Sequence, residues 1–199
     1  MKNCRKNQLK GPTHYHGYSL IEGIFATFIV TVGMVAVVQL MTANLTVLER
    51  SRNQTVATLL AQEGMEIVRN FRDNSWAQGM LTFNNPNFPA INSNCAVDMY
   101  STDLTNCNGS VQKRLRLDPD TGEYLVWAGS SFPGSMFYRK VTILYDTNDK
   151  TTATLANIVS VVIWTGSNIF PAPVDSTTCN QSTRCAFTKL TLNKWGGND

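Results

Sequence analysis

Hydrophobic and polar positions divide the chain into stretches of different period. Residues 1–17 are polar. From residue 18 to 48 Ile, Val, Phe and Met dominate, most densely over Leu20 to Met41, with Thr27, Thr31, Gln39, Thr42, Asn44 and Thr46 interrupting. From Glu49 the apolar residues space out. Ala57, Leu60, Ala61, Gly64, Ile67, Val68 and Phe71 recur three and four apart, and Arg50, Arg52, Gln62, Glu63, Glu66, Arg69 and Arg72 fall mainly between them. That is the period of a helix that lays one stripe on a surface. No proline occurs between Thr13 and Pro86, so one helix is expected from Tyr18 to about Asp73. At 1.5 Å per residue it would be about 84 Å long. Gly64 on the stripe suits a close approach to whatever the stripe covers.

Asp73-Asn74-Ser75 is expected to end that helix. Residues 74–114 are rich in Asn, Ser, Pro and Gly and read as a long loop region with one short strand at most. Strand patterns follow. Glu123 to Ala128 is apolar, Met136 to Tyr145 alternates, Ala153 to Trp164 is β-branched, and Ala186 to Trp195 alternates again. "YDTNDKTT" between the second and third predicts a hairpin. Strands without intervening helices predict an antiparallel sheet, and the amphipathic half of the helix is the expected cover for one face. The fold class is therefore α+β. No internal repeat and no second globular domain is evident.

Charge changes the picture at one end. The 199 residues carry a net charge of +3, but Lys2, Arg5, Lys6 and Lys10 lie in the first 17 residues without any acid, leaving 13 basic and 14 acidic residues elsewhere. A nucleic-acid binder should keep a basic face on its folded part, so no nucleic-acid partner is expected. Gly23 to Leu48 is uncharged and exceeds the roughly 20 residues a helix needs to cross a bilayer. Basic residues ahead of it predict a cytoplasmic N-terminus and an extracytoplasmic C-terminal part. Glu22 breaks the pattern, because a carboxylate at the mouth of such a segment costs about 2.5–3.5 kcal/mol on insertion scales and points to function.

The residues around Glu22 carry a resemblance. Gly17-Tyr18-Ser19-Leu20-Ile21-Glu22 resembles the processing motif of type IV prepilins: a glycine, an aromatic residue, small or apolar residues, then glutamate. Basic leader, motif and apolar run come in the order that family shows. Tyr18 stands where phenylalanine is commoner, and Gln39 stands where many major pilins have a helix-bending proline. "AQEGMEIVRNFRDNSW" is also similar to a stretch found in minor-pilin-like proteins. The resemblance implies that a prepilin peptidase removes residues 1–17, cutting between Gly17 and Tyr18 and methylating the new amine. It implies an assembly helix over 18–48, its amphipathic continuation over 49–73 and a β-rich extracytoplasmic head over 74–199. It further implies partners: other pilin subunits, the peptidase and an inner-membrane assembly machinery. Glu22 would serve assembly. The chain is most like a minor pilin of a type IV pilus; the alternatives are a type II secretion pseudopilin, or a membrane-anchored adhesin or enzyme acting outside a filament.

Cysteine usage agrees with export. Cys4 lies in the leader, and Cys95, Cys107, Cys179 and Cys185 all follow the apolar segment. Four cysteines allow three pairings; nearest-neighbour bridges, Cys95 with Cys107 and Cys179 with Cys185, would each staple a polar loop. Catalytic residues are not expected, since His14 and His16 are the only histidines and both precede Tyr18. No cofactor or metal is expected. Asp118, Asp120 and Glu123 around Gly122 could gather oxygens for calcium, but Asp-Pro-Asp-Thr-Gly is also a routine turn. Asn108-Gly-Ser110 and Asn180-Gln-Ser182 match the N-glycosylation acceptor pattern.

Overall fold

The computed structural model describes residues 17, 19–80, 83, 88–89, 93–95, 97, 113–126, 134–166, 175–180 and 182–194. Helix α1 runs unbroken over Leu20–Ala77. Six strands follow: β1 (Ser93–Cys95), β2 (Lys113–Leu117), β3 (Tyr124–Leu125), β4 (Gly134–Tyr145), β5 (Leu155–Trp164) and β6 (Cys185–Asn193). All pair antiparallel, and the path across the sheet is β3-β2-β4-β5-β6. β1 also pairs with β4, placing Cys95 opposite Val141, while β2 places Lys113 opposite Arg139. β5 takes the other edge of β4 from Phe137 to Tyr145. The expected α+β arrangement, a long N-terminal helix packed against an antiparallel sheet, is what forms.

The helix overruns its expected stop at Asp73 by a turn. Ser75 Oγ donates to the Phe71 carbonyl at 2.7 Å and Asn74 Nδ2 to Asn70 Oδ1 at 2.9 Å, so side chains that often leave a helix here bond back into it. Termination falls to Gly79, with φ +83. The Gly79 N–H reaches the Trp76 carbonyl at 2.9 Å and the Met80 N–H reaches Ser75 at 3.0 Å. This pair of bonds closes a Schellman cap, which needs glycine for its left-handed residue.

Two compact units divide the chain, Met1–Leu48 and Glu49–Asp199. In the second unit the helical stripe meets β2, β4, β5 and β6 over two apolar clusters. Ala57, Leu60 and Ala61 pack with Leu115, Phe137, Val162, Trp164 and Ala186. Met65 and Val68 pack with Val141, Ile143, Ala156, Ile158 and Leu192. Each large aliphatic side chain buried there contributes about 1.5–3 kcal/mol of transfer free energy. Of the expected stripe, Ile67 and Phe71 are half-buried, and Met65 lies deeper than either.

The strand expectations hold in place and err at their ends. β4 begins two residues earlier than expected, and β5 two residues later. Of the expected strand at Glu123 to Ala128, Tyr124–Leu125 forms β3; Ala128 lies outside the described residues. β2 corrects the loop assigned up to residue 114, because the alternating Lys-Arg-Leu-Arg-Leu buries Leu115 fully and pairs with β4. The predicted hairpin closes at Asp146, whose N–H donates to the Leu155 carbonyl at 3.1 Å.

Candidate assembly segment and the head it adjoins

Gly17 is exposed, Tyr18 lies outside the described residues, and α1 opens just after Ser19. The Ser19 carbonyl accepts from the N–H groups of Glu22 at 2.9 Å and Gly23 at 3.3 Å. Ser19 therefore occupies the N-cap position with Glu22 three residues on, the spacing of a capping box. Glu22 sits in the first turn, where the helix dipole favours an acid. Its carboxylate is exposed and has no partner among the described residues. Whether Glu22 approaches the Tyr18 nitrogen therefore falls outside what is described.

From Leu20 to Leu48 every residue is exposed, including Phe25, Phe28, Ile29 and Met34 at 61–67%. By length and composition this half of the helix can cross a membrane. Its hydroxyls are not loose ends. Thr27, Thr31, Thr42 and Thr46 donate to carbonyls three residues back, of Ile24, Phe28, Gln39 and Ala43, at 2.7–2.9 Å. A threonine satisfied in this way enters an apolar medium without an unpaired donor, which would otherwise cost several kcal/mol. A Cβ added at Gly23 or Gly33 would meet no other atom within 4 Å among the described residues outside the local helix backbone.

The head has a polar seam between its two apolar clusters. Arg139 on β4 is fully buried. Its Nη1 donates to the Leu60 carbonyl and pairs with Glu63 Oε1, each at 3.1 Å, and its Nη2 donates to the Val97 carbonyl. Ser160 on β5 is also fully buried, and its Oγ and the Arg139 Nε have no hydrogen-bond partner among the described residues. Gly64 lies over both. A Cβ there would stand 2.7 Å from Ser160 Oγ, 3.1 Å from Arg139 Cδ and 3.3 Å from Val141 Cγ2. The close approach expected of Gly64 is thus real, and its counterpart is a buried cation. Sequence alternation put Arg139 on the face of Phe137, Val141 and Ile143 without indicating that a charge would be buried there; the only signal was a charged residue in phase with apolar ones.

On the opposite sheet face Val161, Ile163 and Cys185 form a small cluster that Cys179 joins. Cys179 and Cys185 are disulfide-bonded, with Cα atoms 5.5 Å apart. Cys95 is also disulfide-bonded, while Cys107 lies outside the described residues. Lys140, buried on this face, pairs with Asp175 beside the bridge.

The acidic turn is a turn. Gly122 has φ +75, its N–H donates to the Asp118 carbonyl at 2.8 Å, and Asp118 Oδ1 accepts from the Asp120 N–H at 2.9 Å. Among the described residues no group of three His, Cys, Asp or Glu side chains is placed to hold a metal ion. At the β4–β5 hairpin, hydrogen bonds from the side chain and N–H of Thr154 hold Asp146 below its ordinary pKa, and those of Thr151 do the same for Asp149. Comparisons of the chain with family models, curated proteins and solved structures return no match.

Proposed function

We propose that the chain is a structural subunit of a type IV pilus or a related filament, most like a minor pilin. A prepilin peptidase would cut after Gly17, and the exposed half of α1 would then serve twice. It spans the inner membrane before assembly, with the head on the extracytoplasmic side, and packs among other subunits afterwards. The observation that carries this reading is the run from Gly23 to Leu48: helical, uncharged and exposed throughout, directly after Glu22 in the first turn. An apolar surface of this extent needs a cover, either lipid or protein. A disulfide-bonded head suits the extracytoplasmic side. In this reading Glu22 meets the freed amine of Tyr18 in a neighbouring subunit. The role is assembly rather than catalysis.

Mass spectrometry of the chain from its native host tests the proposal. A mature protein that begins at methylated Tyr18 and co-purifies with sheared surface filaments is expected. Processed protein confined to the cell envelope points instead to a pseudopilin. An intact Met1 terminus leaves only a membrane-anchored domain.

A further inference from the structure

Asn-x-Ser/Thr occurs four times in the chain, at Asn44, Asn53, Asn108 and Asn180. Asn108 lies outside the described residues. Asn44 and Asn53 are inside α1, where the partner hydroxyls are committed elsewhere. Thr46 Oγ1 donates to Ala43 at 2.7 Å, and Thr55 Oγ1 to Ser51 at 3.0 Å.

Asn180 differs. It is exposed in the loop closed by the Cys179–Cys185 disulfide. Its Oδ1 accepts from the Ser182 N–H at 2.9 Å, the Ser182 hydroxyl at 2.5 Å and the Thr183 N–H at 3.0 Å. Two main-chain donors fix which side-chain atom is the oxygen, so Nδ2 is the outward atom, and it has no partner among the described residues. Three donors on Oδ1 draw electron density from the amide and acidify its N–H. The loop is anchored on the sheet by Cys185 in β6 and by the Trp164 N–H donating to the Arg184 carbonyl at 3.0 Å.

We infer that Asn180 is a modification site: an acceptor for N-linked glycosylation, oriented and activated by Ser182. The donor class is a glycan whose anomeric carbon bears a diphosphate leaving group. Nδ2 attacks that carbon, the carbon–oxygen bond to diphosphate breaks, and diphosphate departs with the electron pair. The amide gives one proton to a base of the transferase. The inference rests on the extracytoplasmic placement of the head, but not on filament assembly.

Glycopeptide mass spectrometry of the full chain from its native host tests it. The peptide containing Asn180 is expected to carry a glycan while Asn44 and Asn53 stay bare. Ser182→Ala should lower occupancy at least tenfold and Ser182→Thr should keep it. A bare Asn180 overturns the inference, as does occupancy unchanged by Ser182→Ala. The N-terminal peptide in the same digest reports processing at Tyr18 independently, so failure of the glycan does not mimic failure of the filament reading. Folded chain in detergent, given either an oligosaccharyltransferase with a polyprenyl-diphosphate oligosaccharide or a soluble transferase with a nucleotide-diphosphate hexose, distinguishes the two donor sources. Transfer in one arm supports the inference, and transfer in neither overturns it.

Discussion

Gly64 of the helix faces Ser160 of β5 so closely that a Cβ on the glycine would stand 2.7 Å from the serine hydroxyl. Alanine at 64 gains about 1 kcal/mol of helix propensity, but overpacking a close contact costs about 1–3 kcal/mol. Gly64→Ala is therefore expected to lower the melting temperature of the full chain in detergent. Ser160→Ala removes a buried hydroxyl with no partner among the described residues, and should be neutral or stabilising. In the Ser160→Ala background Gly64→Ala should become less costly. A thermodynamic cycle over the four proteins measures that coupling.

Arg139 should be the most sensitive position in the head. Removing it takes the donor from the Leu60 and Val97 carbonyls and the partner from Glu63. Breaking a buried ion pair costs about 3–5 kcal/mol. Arg139→Ala should approach the lower end of that range in chemical denaturation, because the Glu63 side chain is 37% exposed and regains water. Glu63→Gln should cost less, since the guanidinium keeps both carbonyls.

Processing should hinge on Gly17. A peptidase cutting at the membrane face needs an unhindered peptide, and glycine has no side chain to obstruct it. Gly17→Val is expected to leave the basic leader attached, read as a larger mass in membrane extracts. Protein of normal mature size from this variant would count against the cleavage site.

Glu22→Ala should separate processing from assembly. Leader removal is expected to persist, because the segment becomes more apolar. Entry into filaments should fall at least about tenfold, since the Tyr18 amine of a neighbouring subunit would lose its counter-charge, an effect of several kcal/mol when such a pair is buried. Immunoblots of sheared filaments against whole membranes give the ratio. Equal incorporation would reduce Glu22 to an N-terminal helix acid.

The β4–β5 hairpin should loosen in acid. Thr154 depresses the pKa of Asp146 in the folded chain relative to its ordinary 3.8. A depressed carboxylate stabilises the fold above the unfolded pKa, and that contribution disappears as pH falls through the folded value. Hairpin protection should thus be constant at neutral pH and decline only below about 3.8. Amide exchange at Thr154 measures it, and Thr154→Ala should move the Asp146 midpoint up toward the ordinary value.

Which features were legible in the sequence follows from the range of the interactions behind them. The helix is a local object. A three-to-four spacing from Ala57 to Val68 marks its buried stripe, the unbroken apolar run marks its exposed half, and the strand alternation of β4 and β6 is equally local. The Gly79 cap was not read from the sequence, because Asp73-Asn74-Ser75 drew the expected boundary earlier. Those side chains resemble a stop signal until they are seen bonding back into the helix. Strand β2 escaped because its first two residues, Lys113 and Arg114, are cations at the end of a polar stretch that reads as loop until β3 and β4 supply partners.

The sequence by itself determined that one long helix precedes the strands, the uncharged segment with Glu22 at its mouth, and the cysteines that follow it, because each depends on residue type and spacing along the chain. Only the tertiary structure decided that Arg139 is buried between two apolar clusters and that Gly64 comes close to Ser160 and Arg139. The physical reason is that burial and hydrogen-bond satisfaction belong to groups far apart in sequence: Leu60, Val97 and Arg139 become partners only when helix, loop and strand meet.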